Sequence, residues 1–277
     1  MNILIANVGN IRRQEIAALA SALNKNHNVT ISCMASDSSF RGQSFSFSAN
    51  PVRVESMSYK EILKSKTKEY DDIAVYEFYS TPADAVNILL GEVLKTRLPD
   101  IVICGIGNGL NMGTDIYSSS NVGMAFETLY FGIPVIVLST EYRLGGHTIE
   151  SVAPIVKFIE KNVERFANLK LPPHTFLNIN FPHVSAYSEY RGVKNTYMGK
   201  NTLELKFEES VNTTKGIISY WSRVVNPRVN LMEGEVVEKT FIDQQYITIT
   251  PISYDSTDYE SIGKWGKIVE EIQGGAK

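Results

Sequence analysis

At about 150 residues per domain, a chain of 277 residues makes one large or two modest domains with a substantial core. Its 43% hydrophobic against 21% charged residues exclude a disordered, collagen-like or low-complexity chain. Lys and Arg total 27 against 30 Asp and Glu, a formal charge of -3, so no nucleic-acid polymer is expected as a partner.

The first element is the apolar run Asn2 to Ala6, which ends in Asn7-Val8-Gly9-Asn10. Ile16, Leu19, Ala20 and Leu23 then follow at helical spacing, so the opening reads as strand, tight loop, helix. Val29 to Ala35 predicts a second strand, followed by a hydroxyl-rich loop from Ser36 to Ser48. A charged, surface-like stretch, Lys60 to Asp72, precedes a strand at Ala74 to Phe78 and a helix from Pro82 to about Thr96, with Thr81 as its cap. Asp100 to Ile106 is the continuous apolar run of a strand covered on both faces, and the Gly/Asn/Ser loop Gly107 to Ser120 comes next. A helix over Val122 to Phe131, a strand over Ile133 to Ser139, a helix over 151–168 and a strand over Thr175 to Ile179 continue the alternation.

Strands alternating with helices predict a Rossmann-like three-layer α/β core with a mostly parallel sheet, spanning 1–183. Beyond Pro182 the pattern changes to strand-like segments, Asn201 to Phe207, Gly216 to Tyr220 and Tyr246 to Pro251. They suggest a smaller β-rich, oligomerising extension over 184–256, its last strand belonging either there or back in the core. A C-terminal helix over 257–277 carries an apolar stripe, Ile262, Trp265, Ile268 and Val269, that needs a partner subunit. A homodimer or homotetramer is therefore expected. Cys33 and Cys104 lie in apolar runs without pairing or zinc spacing, which points to a reducing, cytoplasmic setting. No stretch of about 18 apolar residues and no signal-like N-terminus occurs, so no membrane association is expected.

Sites in open parallel sheets form at the carboxyl ends of strands. Three loops qualify: Asn7 to Arg13, Ser36 to Ser44, and Gly107 to Ser120. The third departs from the G-x-G-x-x-G register of dinucleotide binding, and its glycines serve equally well for tight turns. Ser118 precedes a helical run, where it would either hold an anion or simply cap the helix. Asp84 suits a helix start with or without a functional role. Arg12, Arg13 and Arg41 fall in or beside the first two loops and would hold an oxyanion by paired hydrogen bonds, or lie solvated. Three weak catalytic candidates are Glu15, Asp115 and His147. Glu15 would pair locally with an arginine or act as a base, and His147, in Gly145-Gly146-His147-Thr148, would be a surface group or reach a cleft. No nucleophile elbow or Ser/His/Asp arrangement is present.

Several segments, in this order, resemble the SurE family of stationary-phase survival proteins, which act as divalent-metal-dependent 5'/3'-nucleotidases. They are Ser80 to Asp84, Leu98 to Val102, Gly105-Ile106 with Gly109 to Gly113, Tyr117-Ser118, and Gly132 to Pro134; Leu177 to Asn180 with Pro182, and Ile249 to Ile252, follow. The resemblance implies a Rossmann-like core, a β extension exchanged between subunits, and a dimerising C-terminal helix. It also implies a metal held by an Asn-Asp-Asp-Gly loop after strand one, a serine in the Ser-Gly loop after strand two and the asparagine of a Ser-Gly-Ile-Asn loop. Those positions read Val8, Gly9, Arg41 and Gly107 here, so no metal cofactor is expected. Asn7, Asn111 and Ser118 retain the substrate side, and with Arg13, Arg41, Ser44 and Asn108 they form the expected anion-binding set. The expected partner is a small anionic, nucleotide-like molecule, either bound without turnover or carried through an altered, metal-independent reaction. The alternative is an active nucleotidase using Mg or Mn with substituted ligands such as Asn7, Asn10, Asn108 and Asp115.

Overall fold

Consecutive apolar strand residues must be covered on both faces, and the alternate side chains of the central strands here enter two separate cores. In the computed structural model, which describes residues 1–46, 50–64, 68–199, 202–212, 216–228 and 238–274, β1 is Asn2–Ala6. Its Ile3 and Ile5 face a core with Ile16, Leu19 and Leu23 of α1 (Gln14–Asn24). Leu4 and Ala6 face the opposite one, as the two-residue period of a strand requires. The side of Ile3 is completed by Val152, Ile155 and Ile159 of α5 (Ile149–Ala167). That of Leu4 is completed by α3 (Pro82–Ile88) and α4 (Ser120–Leu129), through Val86, Val122 and Ala125.

The remaining strands of the main sheet are β2 (Asn28–Met34), β3 (Val54–Ser58), β4 (Ala74–Phe78), β5 (Ile101–Asn108), β6 (Val135–Thr140), β7 (Thr175–Phe181), β8 (Val193–Asn195) and β11 (Ile247–Ser253). Among the described residues they make nine strands in the order β3-β4-β2-β1-β5-β6-β7-β11-β8. From β4 to β7 all pairings are parallel. β3 runs antiparallel at one edge, and β11 pairs antiparallel with β7. A separate antiparallel hairpin, β9 (Thr202–Asn212) and β10 (Ile217–Arg228), stands beside the main sheet.

Two shorter helices, α2 (Tyr59–Leu63) and α6 (Glu238–Ile242), and the C-terminal α7 (Tyr259–Gly274) complete the chain. The mostly parallel α/β sandwich, the β hairpin and the terminal helix agree with the expected fold class. Two local expectations need correction. β3 is an additional strand, and Tyr59 in the segment beside it is fully buried, donating its hydroxyl to the Ile11 carbonyl at 3.3 Å. The helix after Thr81 leaves α geometry at Ile88 and continues as a π turn, Leu89–Val93, ending short of Thr96. Thr81 does cap it, in a reciprocal box with Asp84 at 3.3 Å in each direction.

Ile262, Trp265, Ile268 and Val269 of α7 are all exposed in the single chain. No helix among the described residues is long and apolar enough to cross a membrane. Cys33 and Cys104 are both free. Burial pushes the Cys33 thiol up to about 12 and raises that of Cys104 as well, so neither presents a reactive thiolate.

Candidate functional site

The chain leaves β1 by way of β2 and β4 in one direction, and occupies β5, β6 and β7 in the other. The point where this order reverses lies between β1 and β5, and it is at such a switch point, at the carboxyl ends of the strands, that open α/β sheets take their ligands. The first loop and the fifth-strand loop therefore flank one site. The loop after β2 is latched to both. Ser38 donates its N–H to the Val8 carbonyl at 3.0 Å. Arg41 donates its N–H to Ser120 Oγ at 2.8 Å, and that hydroxyl donates on to the Ser38 carbonyl at 2.7 Å. Gly42, at φ 54°, donates to the Ser118 carbonyl at 3.0 Å.

This crossing is close enough to demand a second glycine. A Cβ on Gly123 would stand 2.3 Å from the Gly42 oxygen, so Gly123→Ala forces α4 and the loop apart. The expected loss is about 1–3 kcal/mol by overpacking, read as a lower urea midpoint at unchanged slope. Unchanged stability would show that the loop can shift freely.

Asn7 is buried, and its Oδ1 accepts the Gly9 N–H at 2.8 Å. That turn leaves its Nδ2 buried without a hydrogen-bond partner among the described residues. Asn111, in the loop after β5, is held through its backbone. Its N–H donates to Asn180 Oδ1 at 2.8 Å and Ser139 Oγ at 3.1 Å, and its carbonyl accepts from Asn178 Nδ2 at 2.7 Å and Asn180 Nδ2 at 2.9 Å. The Asn111 Nδ2 is likewise buried and unpartnered. Two amide donors thus border the switch point with nothing to bond.

Arg13 folds back over the first loop. A Cβ on Gly9 would meet its Nε at 2.2 Å, so the guanidinium occupies the space of a side chain at that position. It is paired with Asp37 and, at 3.4 Å, with Glu15. Burial pushes the Glu15 carboxyl above the ordinary carboxylate range, against its own backbone hydrogen bond and the Arg13 charge. For Asp37 burial acts upward too, but hydrogen bonds from Ser39 and the charge of Arg13 outweigh it and hold the group below its ordinary value. Glu15 is therefore a local partner of an arginine. Arg13 is an internal counter-ion of two acids.

The other candidates separate in the same way. Arg41 is exposed, and its side chain makes no hydrogen bond or ion pair among the described residues. Ser44 is also exposed. Asn108 spends its amide on Arg143, accepting its N–H at 2.8 Å and donating to its carbonyl at 3.0 Å. Ser118 donates its hydroxyl to the Asp115 carbonyl at 2.9 Å, and Ser119 is the residue that caps α4, accepting from Val122 at 3.4 Å. The Asp115 side chain is half-buried beside this turn. Asp84 is committed to its cap and to Ser46. His147 is 6% exposed, a buried ring where a surface group was one expectation.

Ser120, Asn178 and Asn180 are the positioning residues that chain order alone did not single out by role. Asn178 and Asn180 lie two apart on β7 and so point to the same face. That spacing, after a strand of the same sheet, was the available signal.

A doubly wound sheet with polar loops at its switch point defines a Rossmann-like α/β protein. The family model described as "Survival protein SurE" matches residues 3–205, and the chain belongs to that family. It is 31% identical to "5'-nucleotidase SurE" of a Thermoanaerobacter species over 262 residues, covering 95% of this chain and 96% of the relative. It is 32% identical to the protein of the same name from Microcystis aeruginosa, covering 94% and 93%. The crystal structure of the SurE protein from Aquifex aeolicus superposes with a TM-score of 0.73 at 25% identity, over 97% of this chain and 99% of that one.

The divalent ion that the family implies does not fit the donors of this site. Val8 packs into the apolar core with Leu4 and Ala6. The side-chain space of Gly9 holds a guanidinium, and a Cβ on Gly107 would stand 2.9 Å from Asn121 Nδ2. A hard cation calls for a compact shell of oxygens with carboxylates among them. Among the described residues no group of three or more His, Cys, Asp and Glu side chains is placed to hold a metal ion.

Proposed function

We propose that this SurE-family chain binds a small phosphate-bearing anion, nucleotide-like in class, at the switch point between β1 and β5, and that it does so without a divalent ion. The observation that carries this reading is the pair of buried, unpartnered amide donors, Asn7 Nδ2 and Asn111 Nδ2. A buried donor left unmade costs about 1–3 kcal/mol, and an oxyanion reaching both would offset it. Arg41, exposed beside the loop latched to Ser120, supplies a cation free to turn toward that anion.

Hydrolysis of a phosphomonoester needs an activated water as well as charge stabilisation at the phosphoryl group. A divalent ion provides both, and arginine only the second. The chemistry of this site therefore favours binding over metal-dependent turnover, with any remaining reaction independent of metal.

The test is calorimetric titration with AMP, 3'-AMP and inorganic phosphate in the presence of EDTA, with phosphate release assayed in parallel after adding Mg or Mn. Saturable, EDTA-insensitive binding is expected, weakened about tenfold or more in Asn111→Ala, consistent with loss of roughly 1.5–3 kcal/mol of charge-assisted hydrogen bonding. EDTA-sensitive release of phosphate would instead place the chain with nucleotidases of the kind its relatives are named for.

A further inference from the structure

His147 is the one histidine whose place in the fold is hard to explain without a ligand. It sits in the loop between β6 and α5, 6% exposed, and neither Nδ1 nor Nε2 has a hydrogen-bond partner among the described residues. A structural histidine in such a place normally donates one ring N–H to a carbonyl or carboxylate. The segment holding it is firmly built. Asn108 pins the Arg143 backbone ahead of it, and Thr148 caps α5 behind it through Ser151 at 3.2 Å.

The loop is tied to the start of α1, next to Arg13, where the Ile149 N–H donates to Gln14 Oε1 at 3.2 Å. After burial, the effects that lower its proton affinity come from Arg143 on its own loop, His183 beyond β7, and Arg13 ahead of α1. Nearby acids are already committed. Glu15 and Asp37 pair with Arg13, and Glu141 accepts the His183 N–H at 2.7 Å. A buried imidazole with both nitrogens unpartnered among the described residues, beside Arg143, lacks what an oxyanion would bring: acceptor oxygens and negative charge.

Resting on the anion-binding reading above, we propose that His147 is a ligand of the bound oxyanion and enters the complex by taking up one proton. In the free protein the ring is neutral at pH 7, because its folded value lies below the ordinary 6.5. The bound anion sets negative charge beside the ring and raises that value, so the imidazolium donates an N–H to an anion oxygen. Anion affinity then rises as pH falls through the window between the free and bound values, by up to about tenfold per pH unit for one proton. The same sign governs stability: acidification below the ordinary histidine range destabilises the free fold, and the anion restores it.

The experiment uses sulfate, which does not titrate between pH 5.5 and 8, together with AMP. Calorimetry of the full chain in two buffers of different ionisation heat counts the protons taken up, and the His147 C2 proton is followed by NMR with and without sulfate. The expected results are close to one proton taken up on the acid side of neutrality, and an upward shift of the His147 titration on binding. His147→Gln should bind sulfate about tenfold more weakly with a flattened pH dependence, whereas His183→Gln should keep the slope. Sulfate and AMP binding with no proton uptake, or an unmoved His147 titration, overturns the proposal and leaves the anion site standing. Absence of binding of either probe at any pH removes both.

Discussion

Replacing Arg13 with alanine is expected to destabilise the protein and, in the same variant, to create a saturable affinity for Mn that is not expected of the parent. The guanidinium answers the charge of Glu15 and Asp37 together. Without it a buried acid and its neighbour face the first loop with no counter-charge. Breaking a fully buried pair costs about 3–5 kcal/mol, but Arg13 is 30% and Asp37 51% exposed at the side chain, so about 1–3 kcal/mol is the better expectation. A cation entering the gap would recover part of it, and urea midpoints with and without Mn measure that recovery. Arg13→Lys should lose less stability and gain no metal response. A parent protein that already binds Mn stoichiometrically would refute the view that arginine is its resident cation.

Asn180→Leu is expected to have the other large effect, on both stability and ligand. Its amide takes the Asn111 N–H and the Ser139 hydroxyl and returns a bond to the Asn111 carbonyl, all in a buried setting. Leucine satisfies none of these, and the orphaned groups should cost about 2–4 kcal/mol. The fifth-strand loop would then lose its register, and phosphate affinity should fall by about tenfold or more in proportion to the displaced Asn111 amide. Midpoint shifts by denaturant and calorimetric titration at 15 °C, where the variant stays folded, separate the two effects. Full phosphate affinity in a destabilised variant would mean that the amide of Asn111 takes no part in binding.

The sheet was readable in the chain because β1, β5 and β6 are unbroken apolar runs, which only a doubly covered parallel sheet explains. β3 was not, since Val54–Ser58 mixes Glu, Ser and Met at an antiparallel edge and shows neither a continuous run nor a clean alternation. At the site, the three loops could be located from strand ends. Their partnerships could not. Arg13 meets Asp37 across 24 positions, and Ser120 meets Ser38 across 82, distances at which no periodicity carries information. Ser118 and Ser119 are chemically identical as candidate caps, and only backbone geometry assigned the role to the second. The burial of His147 likewise is not revealed by its glycine-rich surroundings.

The clamp that β7 places on Asn111 has a consequence for how this fold changes its ligand over time. Asn178 and Asn180 grip only main-chain atoms of the fifth-strand loop, so the support is indifferent to which side chains the loop displays toward the opening. Substitutions at the display side can therefore accumulate while the mount behind them stays intact. A lineage can exchange one kind of counter-charge for another at this opening without having to reinvent the scaffold that carries it.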